Sequence, residues 1–352
     1  MVYVTLALCF VASIILTPLI KKLAFAIGAT DKPNQRKVHQ KIMPRLGGLA
    51  IFISFIIGLL FLRPTDEYSI FIIIGSFIII ITGILDDMFE LSAKVKLLGQ
   101  IAAALVVVLP GVQVDFINIP IFGGQIEFGF LSIPLTVLWI VGITNAINLI
   151  DGLDGLAAGV SSIALITISG MAFLKGDIFV MSMGLIVLGS TLGFLVYNFH
   201  PAKIFMGDTG ALFLGYIISV LALLGFKNIT ILSLIIPVII LGVPISDTLF
   251  AIIRRFVNKQ PLSAPDKSHL HHCLLKLGYS HRQTVLIIYG IAAMFGLAAV
   301  IFSMSTIWGA LLVIAVLVLA IEIFAEKIGL VGKDYKPLLK MINQGSQGEK
   351  GR

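Results

Sequence analysis

Long runs without a charged residue alternate with short polar connections along nearly the whole chain. A helix rises about 1.5 Å per residue, so runs of roughly 17–25 apolar residues can cross ~30 Å of hydrocarbon. Eleven such runs stand out, at roughly 2–20, 46–62, 69–85, 95–110, 131–148, 156–174, 178–196, 209–225, 230–250, 285–303 and 306–324. They predict an all-α, polytopic integral membrane helical bundle of about eleven transmembrane helices. The fourth run is the weakest, with Lys94 and Lys96 at one end and Pro110 at the other; a re-entrant segment is its alternative. The period changes between Gly111 and Phe130. There Val112, Val114, Phe116, Ile119 and Ile121 lead to Gly123-Gly124, then Ile126 and Phe128, which predicts a short external β-hairpin.

Charge gives these runs a direction. With loops assigned to alternate sides, all but Arg63, Lys175 and Lys227 of the 25 Lys and Arg residues share one side. The positive-inside rule makes that side cytoplasmic, with the N-terminus external and the C-terminus inside. Dropping the fourth run would scatter the basic loops over both faces, which favours keeping it. The first run has no positive residue before it and Lys21-Lys22 after it, the reverse of a cleavable signal. Residues 1–326 are thus expected as one membrane-embedded unit of the cell membrane, and 327–352 as a polar cytoplasmic tail.

Composition agrees. Hydrophobic residues make up 58% of the chain, charged ones 12%, and mean hydropathy is +1.07. An ordinary soluble domain is excluded, since its apolar share is roughly 45–50%. The net charge of +7 follows from orientation and from anionic lipid; no basic face interleaved with aromatics points to nucleic acid. Cys9 and Cys273 give no disulfide framework. Asn228-Ile229-Thr230 fits a glycosylation triplet but falls in a very short loop.

Against this apolar background the carboxylates are informative. Asp86-Asp87 closes the uncharged run Ser69–Leu85, at a helix C-terminus where the dipole disfavours anions. An ionised carboxylate is costly to desolvate and wants a cation; Lys94 or Lys96 could supply one charge, a bound Mg²⁺ two. The bland alternative is a solvated interface loop. Asn148, Asp151 and Asp154 open the sixth run, and Asp208 the eighth. Each acid at a helix start could be an N-cap; capping accounts for Asp154 or Asp208 alone, not for Asp151 and Asn148 as well. A helix N-terminus also favours phosphate. His269, His271, His272 and Cys273 sit in a basic loop, with no second cluster at zinc spacing. They read as phosphate or uracil contacts, or as a solvated cluster. Asp247, inside the ninth run, fits an ion pair with Arg254 as well as a substrate role. A transporter would instead need ionisable residues at mid-bilayer and paired broken helices, and the acids cluster at one boundary.

Five strings in order resemble one family. They are Pro44-Arg45-Leu46-Gly47-Gly48, Asp86-Asp87, Asn145-Ala146-Ile147-Asn148 through Asp154-Gly155, Phe205-Met206-Gly207-Asp208-Thr209-Gly210, and His269-Leu270-His271-His272. The chain in this respect is similar to the polyprenyl-phosphate N-acetylhexosamine-1-phosphate transferases. That family includes enzymes that begin teichoic-acid and enterobacterial-antigen assembly and is related to phospho-MurNAc-pentapeptide translocase. The resemblance implies transfer of GlcNAc-1-phosphate from UDP-GlcNAc to undecaprenyl phosphate, releasing UMP, with Mg²⁺ as cofactor and Mn²⁺ as a substitute. It implies Asp208 and Asp86 as metal ligands. Asp86, Asp87, Asp151 and Asp154 become the catalytic acids, with Asp87 as base or orienter of the acceptor phosphate. Arg45, Lys94, Asn148, Asn198, His269, His271 and His272 become substrate contacts. His-x-His-His and the loop Arg36–Gly48 look like the simpler UDP-sugar branch; the pentapeptide translocase reaction is the runner-up. A covalent two-step route and a homodimer stay open.

Overall fold

The computed structural model describes residues 1–31, 42–119, 124–226, 231–261, 268–330, 337, 338 and 340. Helices α1 (Val2–Ala26), α2 (Gly47–Leu62), α3 (Ser69–Phe89), α4 (Ala93–Val108), α5 (Ser132–Ile150), α6 (Leu156–Lys175), α7 (Ile178–Asn198) and α8 (Gly207–Phe226) are followed by α9 (Ile231–Ile240), α10 (Gly242–Val257), α11 (Leu270–Lys276), α12 (His281–Met304) and α13 (Ile307–Ile328). Each of the eleven apolar runs meets a helix. Among the described residues eight helices are long and apolar enough to cross a membrane, and α2, at 16 residues, is a shorter apolar one. The chain is a multi-pass helical membrane protein.

The ninth run departs from the expected single span. It breaks at Leu241 into α9 and α10, bent by 83° at that point. Pro237 and Pro244 each withhold a backbone N–H near the break, and Ser246 and Asp247 make α10 unlike a lipid-facing helix.

Helix α8 is the axis: 89% of its apolar window is buried, against 6% for α13 at the rim. Helices α2, α3, α5, α6 and α7 pack around it. Phe213 of α8 meets Phe52 of α2 edge-on at 5.4 Å, an arrangement that suits the ring quadrupoles. Near the start of α8 the contact tightens to backbone: a side chain at Gly48 would overlap Gly210. Small residues there let helix ends converge, which a site shared between helices needs.

Two short sheets complete the described fold. Thr30–Asp31 (β1) pairs antiparallel with Met43–Pro44 (β2). Phe116–Ile119 (β3) pairs with Gly124–Glu127 (β4), Phe116 opposite Glu127, as the alternation predicted. Ile121 and Gly123 of the expected hairpin lie outside the described residues, as do Asn228-Ile229-Thr230, residues 32–41 of the basic loop and most of the tail.

Candidate active site

The connections α1–α2, α3–α4, α5–α6, α7–α8 and α10–α12 meet at one end of the bundle, and backbone chemistry explains how. A helix leaves its first N–H groups without intrahelical partners. At the start of α2, Gly47 and Gly48 donate theirs to the carbonyls of Phe205 and Met206, at 3.0 and 2.9 Å. The Pro44–Gly48 string is thereby stitched to the string that carries Asp208.

The start of α8 is satisfied from α3. Asp87 Oδ1 accepts the Asp208 N–H at 2.9 Å; Oδ2 accepts the Thr209 N–H at 3.0 Å and the Thr209 hydroxyl at 2.7 Å. The carboxylate lies against Gly207, whose φ of 72° suits glycine and where a side chain would overlap it. Asp87 was expected at the acceptor phosphate. In this structure its oxygens accept from the start of α8 and meet Arg45, and its side chain is fully buried, so it orients Asp208. It also explains why Asp208 need not cap its own helix.

Asp86, one residue earlier and so about 100° around α3, faces a different group. Its Oδ2 lies 2.9 Å from Lys96 Nζ, and the same ammonium bonds Asp208 Oδ2. Arg45 completes the cluster, Nε 3.4 Å from Asp87 Oδ1 and Nη2 3.6 Å from Asp208 Oδ1. Burial favours loss of the guanidinium charge, but Asp87, Asp208, Asp31 and Asp151 outweigh it and hold Arg45 more firmly charged than usual. Of the two lysines that could have supplied a charge, Lys96 is the one at the carboxylates, and Lys94, expected as a substrate contact, is not among them. Two residues on a helix are about 200° apart, so when Lys96 points inward Lys94 points out, and it is exposed.

Asp151 and Asp154 lie between α5 and α6. Burial, then the charge of Asp208, pushes the Asp151 carboxyl up to about 7, with Arg45 opposing. Asp154 does not cap α6; Gly155 holds that position, with φ 78°. Asp154 Oδ2 binds His200 Nδ1 at 2.8 Å and the Ala202 N–H at 3.1 Å. Asn198, expected as a substrate contact, accepts from the Gly155 N–H at 3.1 Å and donates to the Ile204 carbonyl at 3.0 Å. Its amide therefore holds two loops together while it borders the cavity.

The histidine string divides. His271 and His272 reach the cavity, whereas His269 is withdrawn and pairs with Asp247 at 2.8 Å. Asp247 thus serves a histidine, neither of the roles expected for it. Burial, then the neighbouring His272, lowers His271 to about 3, so it acts as a neutral ring. That ring packs where a side chain at Gly152 would stand. Two histidines enter that were not singled out, His200 and His281, with rings stacked at 4.1 Å. His200, two residues after Asn198, carried no signal of its own, whereas His281 had a legible one: Ser280 and Gln283 form a capping box that fixes it at the first position of α12.

These groups line two adjoining cavities. One, of about 400 Å³, is bordered by Asp154, Asn198, His200, His271, His272 and His281. The other, of about 380 Å³, is bordered by Asp86, Lys96, Asn148 and Asp208. Arg45 and Asp151 border both. Two donor sets could hold a cation. Asp86 and Asp208 direct one carboxylate oxygen each at a single cationic position, now the Lys96 ammonium, and suit a hard ion. Ligand atoms of Asp154, His200 and His281 lie within 4.8 Å of one another and suit a softer one.

Comparisons with known proteins place the chain in one family. Residues 69–226, from the first residue of α3 to the last of α8, match glycosyl transferase family 4. A Bacillus subtilis protein named probable undecaprenyl-phosphate N-acetylglucosaminyl 1-phosphate transferase is 55% identical over 333 residues, 94% of this chain and 93% of its own. The decaprenyl-phosphate N-acetylglucosaminephosphotransferase of Mycolicibacterium smegmatis is 36% identical, covering 86% of this chain and 84% of its own. A phospho-N-acetylmuramoyl-pentapeptide-transferase of Halalkalibacterium halodurans is 33% identical, covering 84% and 95%.

Proposed function

The chain belongs to glycosyl transferase family 4, and we propose that it transfers GlcNAc-1-phosphate from UDP-GlcNAc to undecaprenyl phosphate, releasing UMP. The observation that carries this reading is the 55% identity, across nearly the full chain, to a relative named for that acceptor and that transferred group. The pentapeptide-transferase relative, at 33%, supports the runner-up donor less.

The paired cavities suit such a reaction. The donor nucleotide occupies the histidine-lined cavity, and the acceptor phosphate, its tail in the bilayer, enters the acidic one. An acceptor phosphate oxygen attacks the sugar-bearing phosphorus; the new P–O bond forms as the diphosphate P–O bond breaks, and UMP leaves with the electron pair. Two anions must meet, so positioning and charge neutralisation dominate the barrier. Arg45, on the wall common to both cavities, is placed to neutralise the diphosphate. Lys96 is the adjoining cation, and the N-termini of α6 and α8 add positive potential. Asp208 and Asp86 would hold Mg²⁺, or Mn²⁺ in its place, which when bound supplies Lewis-acid stabilisation of the leaving phosphate. The biased Lys and Arg distribution supports a cytoplasmic site and an external N-terminus.

Purified protein given undecaprenyl phosphate, UDP-GlcNAc and Mg²⁺ should release UMP and stop when EDTA is added. UMP from UDP-MurNAc-pentapeptide but not from UDP-GlcNAc would overturn the donor assignment.

A further inference from the structure

Asp247 is costly where it stands. It is 1% exposed on α10, beyond the break in the ninth span, beside a mainly apolar cavity bordered by Val243, Phe250, Phe295 and Phe324. A buried carboxylate needs partners, and both of its partners belong to one short segment. Oδ2 lies 2.8 Å from His269 Nδ1, and Oδ1 accepts the Leu270 N–H at 2.7 Å. A carboxylate only accepts, so Nδ1 of His269 carries the proton. His269 is itself 6% exposed and does not border the donor cavity.

The Leu270 bond begins α11 from outside. His269 occupies the N-cap position without a side-chain cap of its own, and α11 is seven residues long. A helix that short has little stability alone and starts where tertiary contacts put it. The next two positions after Leu270 are His271, packed on Gly152, and His272, both on the donor-cavity wall. The rings of His269 and His271 lie parallel within 4°, 6.1 Å apart.

We infer that Asp247 is a positioning residue for the donor site: from α10 it fixes the tautomer of His269 and the start of α11, and through them the placement of His271 and His272. It touches no substrate and acts through the histidine segment. The inference rests on the proposed donor assignment for its kinetic consequence, but not for its structural one.

Asp247→Asn separates the two. The amide oxygen still accepts from Leu270, while the amide nitrogen becomes a donor facing His269 and moves the ring proton to Nε2. The expected result is a KM for UDP-GlcNAc raised about tenfold, with kcat and the KM for undecaprenyl phosphate within about twofold of wild type. His269→Asn, whose amide N–H can replace Nδ1–H toward Asp247, should stay within about threefold of wild type. An unchanged donor KM in Asp247→Asn, a joint fall of kcat and thermal stability without a KM split, or a His269→Asn loss as large as Asp247→Asn would each overturn the role. ¹⁵N-histidine NMR of the detergent-solubilised protein reads the tautomer without any donor. Nδ1–H in wild type and Nε2–H in Asp247→Asn supports the inference; the same tautomer in both overturns it. Absence of UMP release by wild type would count against the donor assignment alone.

Discussion

The two cavities share Arg45 and Asp151 but are otherwise built differently. Around Asp208 the walls are helix ends, α3 and α8, locked by three hydrogen bonds onto one buried carboxylate. Three acids face two cations there, so removing either cation leaves the carboxylates under-compensated in a confined space. Around His272 the walls are connections, tied by Asn198, Asp154 and Asp247 to one another's backbone. Histidine rings and loop backbone predominate, and shape and hydrogen bonding come to the fore. Under the proposed function the contrast is a division of labour: the charged cavity manages the reacting phosphates, and the looped cavity recognises what they are attached to.

Substitutions should therefore differ in kind between the two. The largest effect is expected from Asp208→Asn, a loss of turnover of roughly 10³-fold with folding retained. Retained activity would remove Asp208 from the reaction. Lys96→Met should lower kcat about 10²-fold, while Lys94→Met stays near wild type; equal effects would mean that the rotation of α4 described above is wrong. Asp87→Ala should act first on stability. It strips partners from the buried N–H groups of Asp208 and Thr209, at a cost on the order of 3 kcal/mol, visible as a lowered thermal midpoint. A kcat loss without any stability loss would instead return Asp87 to the acceptor phosphate. On the other side, His272→Ala should raise the donor KM about tenfold and leave kcat and protein abundance nearly unchanged. A pure kcat effect would erase the contrast between the cavities.

The smallest effect concerns Asp151 on the common wall. Its carboxyl sits at about 7, above the ordinary carboxylate value, so the folded state holds this proton more tightly than the unfolded one. Stability from this group is present at low pH and lost as pH rises toward about 7. Asp151→Asn should thus raise the thermal midpoint at about pH 8 and give little gain at about pH 4. A gain independent of pH would rule out the proton as its cause.

Much of this was legible in the chain. The apolar runs located the helices because transfer of a segment into hydrocarbon is a local, additive quantity. The five strings shared one end of the bundle because the direction of each run alternates. What those strings do to one another was less legible. Asp86 and Asp87 are neighbours in sequence and look equivalent, yet one faces the cavity and the other is buried against the start of α8. Lys94 and Lys96 were both candidates, and a helical phase of about 200° chose between them. The break at Leu241, expected as one straight span, put Asp247 beside His269.

Sequence alone therefore determined the membrane-spanning, all-helical architecture and the gathering of acids and histidines at one boundary. The tertiary structure decided which carboxylate holds a helix, which faces an open cavity and which serves a histidine. The physical reason is that hydrophobic burial sums along a segment, whereas a carboxylate's role depends on the rotation of its helix and on the donors that distant segments bring to it.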